Sequence, residues 1–340
     1  MPKVLLKEVV ERIKDKVDKD NTHLKYYIGG EHFDYGEVCV TKRALIEGST
    51  IGPAFHMRFM PGDVLLMSRN PHLRKSGVVD FEGLCSDVSY VCRTKNEGIL
   101  MQSYLPFIFQ TDHFWDFAEQ NKHGSTNYFL NWTDFEKYEF ELPTIEIQKE
   151  LVKVLWEAQK LKMGYQKMLL ATDELVKSQF IEMFAFQDLS LTNPSDDFGK
   201  KCYDDTSSAT KVPAGDYKNN GRYAIYDQSQ DCDIAGYTDS IEGVCNNYPA
   251  VLFGDHSRVI KYIDQPFYIG ADGVKIIRPK GNDLLPEFLY YDLLYHNIPN
   301  TGYNRHFKYV KMLKLTEASI DRQKEFLKIA NQADKSKYIN

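Results

Sequence analysis

The chain has 340 residues, of which 43% are hydrophobic and 26% charged, with six cysteines and a formal net charge of −6. These proportions exclude a disordered or fibrous protein, and the length exceeds the size at which a single core stops growing, so about two domains are expected. No window reaches the roughly 18 apolar residues of a membrane helix, and the start is charged from Lys7 onward without an apolar targeting segment, so a cytoplasmic location is expected.

The cysteines (Cys39, Cys85, Cys92, Cys202, Cys232 and Cys245) form no C-x-x-C pair and have no histidine at zinc spacing. They read as reduced, mostly buried thiols, and no metal site is expected. Net charge is −4 over residues 1–142, zero over 143–185 and −2 over 186–340. That balance argues mildly against nucleic acid as a partner, since neutralising phosphates takes Lys and Arg, unless local patches overrule it.

In chain order, the first block (1–142) holds a strand-like run "DVLLMS" from Asp63, a polar basic turn "RNPHLRKSG", and a further strand "CSDVSYVCR" from Cys85. An aromatic helical segment "YLPFIFQTDHFWDFAEQ" and a polar loop "KHGSTNYFLNW" follow. A long helix is then expected from Pro143 to about Phe184. Proline is tolerated at a first helical position, and Glu146 in the first turn suits the helix dipole. Leu151, Val154, Ala158, Leu161, Tyr165, Met168, Thr172 and Leu175 recur at spacings of three and four, a heptad seam that calls for a partner helix along a rod of about 60 Å. Leu155, Leu169, Val176, Phe180, Met183 and Phe184 widen the apolar stripe.

The second block (186–316) repeats the order: "PAVLFG" from Pro249, "DHSRVIKY", "GADGVKIIR" from Gly270, "PEFLYYDLLYHN" and "NTGYNRHFKYVK". A terminal helix (317–340) closes the chain, with Phe326 and Ile329 on its packing face. Its stretch "IDRQKEFLKIANQADKSK" from Ile320 aligns without a gap on "IEIQKELVKVLWEAQKLK" from Ile145, with eight of eighteen positions identical. The chain therefore reads as a duplicated module. The fold expected is α+β, with two mixed α/β domains in tandem, separated and followed by helices that pack as an antiparallel coiled coil. The terminal helix is about half as long as the central one.

At this point the sequence resembles the specificity subunit of Type I restriction-modification systems. The resemblance is carried by "LPTIEIQKELVKVL" from Leu142 and by "YPAVLFGDHSRVIKYIDQPFYIGADGVKII" from Tyr248, with "GRYAIYDQSQDCDIAGYTD" before it, and it is strongest after residue 215. It implies a non-catalytic protein with two target recognition domains, each reading half of a split site in double-stranded DNA through the major groove. The helices would set the distance between the half-sites and dock two methyltransferase subunits. Those partners would bind S-adenosylmethionine, which this chain would not, and restriction subunits would join the complex.

A base-reading surface needs Arg or Lys forks for guanine, Asn or Gln for adenine, and many phosphate contacts. The paired loops supply these types. In the first block the candidates are Arg69, His72, Arg74, Lys75, His123, Ser125, Asn127 and Asn131. In the second they are Tyr226, Gln228, Ser229, His256, Ser257, Arg258, Lys261, Asn304, Arg305, His306 and Lys308. Asp255 is expected in an Asx-type turn, its carboxylate accepting backbone N–H groups. Asp255 and His256 are adjacent and lack a nucleophile motif, so they are not read as a catalytic pair. No P-loop, no Asn/Asp-Pro-Pro methyltransferase motif and no nuclease carboxylate pair is found, and no catalytic residue is assigned. Two rival readings are the recognition arm of a fused restriction-modification enzyme and a coiled-coil protein that self-associates without DNA.

Overall fold

The structure is a computed structural model. It describes residues 2–186, 196–230, 232–302 and 304–338, with side chains to residue 333. Residues 187–195 at the start of the second block, Asp231 and Tyr303 within the quoted motifs, and residues 339–340 at the end of the terminal helix lie outside the described residues. Two compact units are present, Met1–Tyr165 and Gln166–Asn340, and the division falls inside the central helix, Ile145–Phe184.

In the first unit one antiparallel sheet has the order Val10–Ile13, Ser89–Thr94, Val64–Met67, Ser76–Val78. A second has the order Ala44–Leu45, Tyr26–Ile28, Gly83–Ser86, Phe55–Phe59, with its middle pair parallel. The "VLL" run lacks polar alternation because both faces of its strand are covered. Val64 and Leu66 face a core containing Phe109, Phe114, Trp115 and Phe135, while Leu65 and Met67 face another with Ile28, Phe59 and Val91. Helix Asp112–Gln120 supplies part of the first cover and begins at Thr111, whose hydroxyl accepts the Phe114 N–H, satisfying one orphan donor of the first turn.

The second unit repeats the first sheet strand for strand: Cys202–Asp204, Val274–Pro279, Ala250–Gly254, Ile260–Ile263. Again the apolar strand is sandwiched, with Val251 and Phe253 facing the core of Phe288, Leu289 and Phe326, and Ala250 and Leu252 facing that of Phe267 and Ile269. The second sheet departs in one strand. Gly236–Thr238, Tyr223–Tyr226 and Phe267–Gly270 keep the earlier pattern, but the fourth place is taken by Lys211–Val212, paired parallel where the first unit has an antiparallel Phe55–Phe59.

The terminal helix, Ile320–Tyr338, buries Gln323, Phe326, Leu327 and Ala330, and Ile329 is half-buried. The Phe326 ring centroid lies 5.1 Å from that of Phe180 and 5.9 Å from that of Phe184, and Arg322 Nη2 donates to the Met183 carbonyl at 2.6 Å. Later terminal residues thus meet earlier central ones, an antiparallel packing. The heptad seam expected on the central helix is not the packed face. Leu151, Val154, Ala158, Leu161, Tyr165, Met168 and Leu175 are exposed, Val154 at 66% and Leu161 at 73%. Burial falls instead on Val176 and Phe180, with Met183 and Phe184 beside them. The partner helix has 19 residues and meets the central helix at Phe180 and Met183, so in antiparallel packing it is too short to reach residues 151–165 on any face.

Candidate nucleic-acid interface

In both units the basic turn follows the sandwiched strand, and its first residue makes one backbone bond to the turn before the next core strand and one to a distant loop. In the first unit Ser68 N–H donates to the Val88 carbonyl at 2.8 Å, and the Ser68 carbonyl accepts from Leu130 N–H at 2.9 Å. In the second, Asp255 N–H donates to the Gly273 carbonyl at 2.6 Å, and the Asp255 carbonyl accepts from His306 N–H at 2.8 Å. Asp255 thus stands where Ser68 stands, and the turns are strained alike. Asn70, Arg74 and Arg258 have φ of 51°, 47° and 64°, a region non-glycine residues visit at a cost and mostly at functional loops.

In the first unit Asn70 N–H donates to the Tyr128 carbonyl at 2.8 Å, and His123 and Phe129 exchange two backbone bonds of 2.8 and 3.0 Å. The loop carrying Asn127 and Asn131 therefore lies beside the turn carrying Arg69 and His72, and all four side chains are exposed, as is Ser125. The Arg69 guanidinium sits 5.3 Å from the Phe129 ring centroid, a cation–π contact that orients it. Arg74 and Lys75 are drawn elsewhere. Arg74 pairs with Asp112, whose carboxylate raises the guanidinium pKa, and Lys75 Nζ donates to the Gly30 carbonyl at 2.7 Å. His123 Nε2 lies 2.9 Å from Asp134 Oδ2. Burial pushes the Asp134 carboxyl up, but its bonds with His123 and Lys137 outweigh this and hold it below the usual carboxylate range.

In the second unit three loops meet. Gln228 Oε1 accepts from His256 N–H at 3.1 Å, Gln230 Nε2 donates to the Ser257 carbonyl at 2.8 Å, and Arg258 Nη1 donates to the Ile298 carbonyl at 3.1 Å. Ser229 N–H donates to Asp227 Oδ1 at 2.8 Å, which closes an Asx turn. Asn304, Arg305 and Lys308 are exposed on the third loop, and Asn304 Nδ2 donates to the Thr301 carbonyl.

Three candidates turn inward. Lys261, 6% exposed, donates to the carbonyls of Cys232 and Asp233 at 2.8 and 3.0 Å. Tyr226 is buried, and its hydroxyl accepts from Gln265 Nε2 at 2.8 Å. His306 is fully buried, with Nδ1 at 2.9 Å from the Asp255 carbonyl and Nε2 accepting from Thr301 N–H at 3.2 Å. The sequence placed these three on a reading surface, but each would have to break buried bonds to reach a base, so they brace the loops instead. Asp255 is also corrected in part. Its carboxylate accepts a backbone N–H, but from Phe307 at 2.7 Å, 52 positions away, and not within a local turn. The missed signal was positional: Asp255 directly follows the second apolar strand as Ser68 follows the first.

Among the described residues no group of three or more His, Cys, Asp or Glu is placed to hold a metal ion, and no helix is long and apolar enough to cross a membrane.

No protein-family model and no curated protein matches the sequence. Among solved structures, the Type I restriction-modification system S subunit from M. genitalium is similar, with a TM-score of 0.55 and 12% identity, covering 99% of this chain and 90% of that one. The HsdS subunit from Thermoanaerobacter tengcongensis aligns over the same shares at 15% identity, but its TM-score of 0.40 carries no further weight. With the doubled strand order, the interleaved helices and the coverage of nearly the whole chain, this protein has the fold of a Type I restriction-modification specificity subunit.

Proposed function

We propose that this chain is the DNA sequence-recognition and scaffold subunit of a Type I restriction-modification complex. Residues 1–142 and 186–316 are its recognition domains, each reading half of a bipartite target. The helices of 143–185 and 317–340 set the spacing and dock two methyltransferase subunits, with restriction subunits joining them in the cytoplasm. S-adenosylmethionine belongs to the methyltransferase, and this chain performs no catalysis. The observation that carries the reading is the repeated loop anchor. Two turns with little sequence in common each use one residue, Ser68 or Asp255, to bond the turn before the next core strand through its N–H and a distant, amide-bearing or basic loop through its carbonyl. Arg69, His72, Asn127 and Asn131 on one unit, and Asn304, Arg305 and Lys308 on the other, are exposed there. These are the donor and acceptor types that read base edges and phosphates. The exposed apolar residues of the central helix, such as Val154 and Leu161, supply a surface for docked subunits.

The test is co-expression with a Type I methyltransferase subunit, followed by sequencing of modified adenines. One bipartite motif with a fixed spacer is expected. Methylation of a single continuous motif would refute the two-domain reading.

A further inference from the structure

Gln148 and Gln323 occupy the same place in the two copies of the repeated helix and are 0% and 1% exposed. Gln148 Oε1 accepts from Met101 N–H at 2.9 Å, and its Nε2 donates to the carbonyls of Ile99 and Pro143, both at 2.8 Å. Gln323 Oε1 accepts from Leu285 N–H at 2.8 Å, and its Nε2 donates to the carbonyls of Asp283 at 2.8 Å and Ala318 at 2.9 Å. The backbone N–H of each closes onto the residue four before it, Thr144 or Ser319, at 2.9 Å in both. One side-chain amide thus ties the first helical turn to two places at once. One is the chain just before the helix, and the other is the segment leaving the core strand, Ser89–Thr94 or Val274–Pro279.

Every partner of both amides is a backbone group, so each amide makes three bonds in one geometry. A buried polar group held in this way specifies register more than it adds net stability. The geometric leverage is large. Tilting the central rod of about 60 Å by about 5° at its root moves its far end by about 5 Å, more than the roughly 3.4 Å rise of one base pair, and the terminal helix of 19 residues, about 28 Å long, reaches that rise at a tilt of about 7°.

We propose that Gln148 and Gln323 are positioning residues that fix the angle between each recognition domain and its helix, and so confine the target to one spacer length. This rests on the recognition reading above. Neither amide touches DNA; each acts through the helix root it holds.

The experiment uses the full chain in complex with a Type I methyltransferase and maps methylated adenines at targets whose spacers are one base pair shorter, native or one longer. Gln148→Met and Gln323→Met remove the amide at similar length. Val91→Ala and Val251→Ala, in the cores of the two units, serve as controls for lost stability, compared at equal fractional loss of melting temperature. Each Gln variant is expected to methylate altered-spacer targets about tenfold more than wild type, or about 1.4 kcal/mol of lost discrimination, while the core controls keep wild-type spacer preference. Unchanged preference in folded Gln variants, or equal relaxation in the controls, overturns the positioning role alone. A wild-type complex that methylates a continuous motif or none overturns the recognition reading itself. If the Met variants do not fold, hydrogen exchange in the unaltered chain decides. Met101 and Leu285 amides protected like core-strand amides support the lock, and exchange at loop rates overturns it.

Discussion

Asp255 shows how one side chain sets the reach of others. Its carbonyl and carboxylate together engage His306 N–H, the His306 ring and Phe307 N–H, so the loop bearing Asn304 and Arg305 is held by a residue that itself faces inward. Asp255→Ala leaves the Phe307 N–H without its acceptor, and a cost of about 1–3 kcal/mol is expected in denaturant unfolding. Arg305→Ala should behave differently. It is exposed, so stability should change by less than about 0.5 kcal/mol, while recognition of the second half-site weakens and the first is unaffected. Arg69→Ala should give the mirror result, and methylation of targets altered in one half-site at a time distinguishes them. Lys261→Ala, by contrast, should lower stability without changing the bases read, because its ammonium is spent on two backbone carbonyls.

At the scale of elements, the two ends of the central helix's apolar stripe have different fates. Phe180 is fully buried against Phe288 and Phe326, whereas Leu161 is 73% exposed. Phe180→Ala is expected to cost about 3–5 kcal/mol, and Leu161→Ala less than about 0.5 kcal/mol in the isolated chain. If Leu161 lies under a docked subunit, its substitution should instead weaken co-purification of the methyltransferase. Strand Cys202–Asp204 offers a pH test. Burial raises the Asp204 carboxyl pKa, but bonds from Thr206 and Lys275 outweigh this and hold it below the ordinary value of 3.8. A folded-state pKa below the unfolded one contributes stability that is present above pH 3.8 and lost as pH falls through the folded value. The stability gap between wild type and Asp204→Asn should therefore hold at neutral pH and close below pH 3.8, as read from urea midpoints across pH.

For the whole molecule, duplication is the governing fact. Both units sandwich one all-apolar strand between two cores and use the next residue to anchor a loop. They diverge at the edge of the second sheet, where the fourth strand is antiparallel in one unit and parallel in the other. An edge strand has a neighbour on one side only, so it can be exchanged without disturbing the central ladder. The mildly acidic total charge is compatible with this arrangement, because Arg69, Arg305 and Lys308 are exposed on the paired loops while Arg74 is neutralised by Asp112.

Much of this was legible in the residues themselves. The order of elements, the repeat from Ile145 to Ile320 and the apolar runs "VLL" and "AVLF" determined a doubled α+β fold, because burial pattern and helix periodicity are local properties of the chain. Even the two glutamines stood out as identical positions, though not their purpose. What tertiary structure decided was direction. Whether Lys261 or His306 faces solvent depends on carbonyls 28 to 51 positions away, and which side of the central helix is covered depends on where a helix more than a hundred residues later comes to rest. Such contacts are set by how sheets and helices close on one another, which residue type and spacing along a single chain do not encode locally.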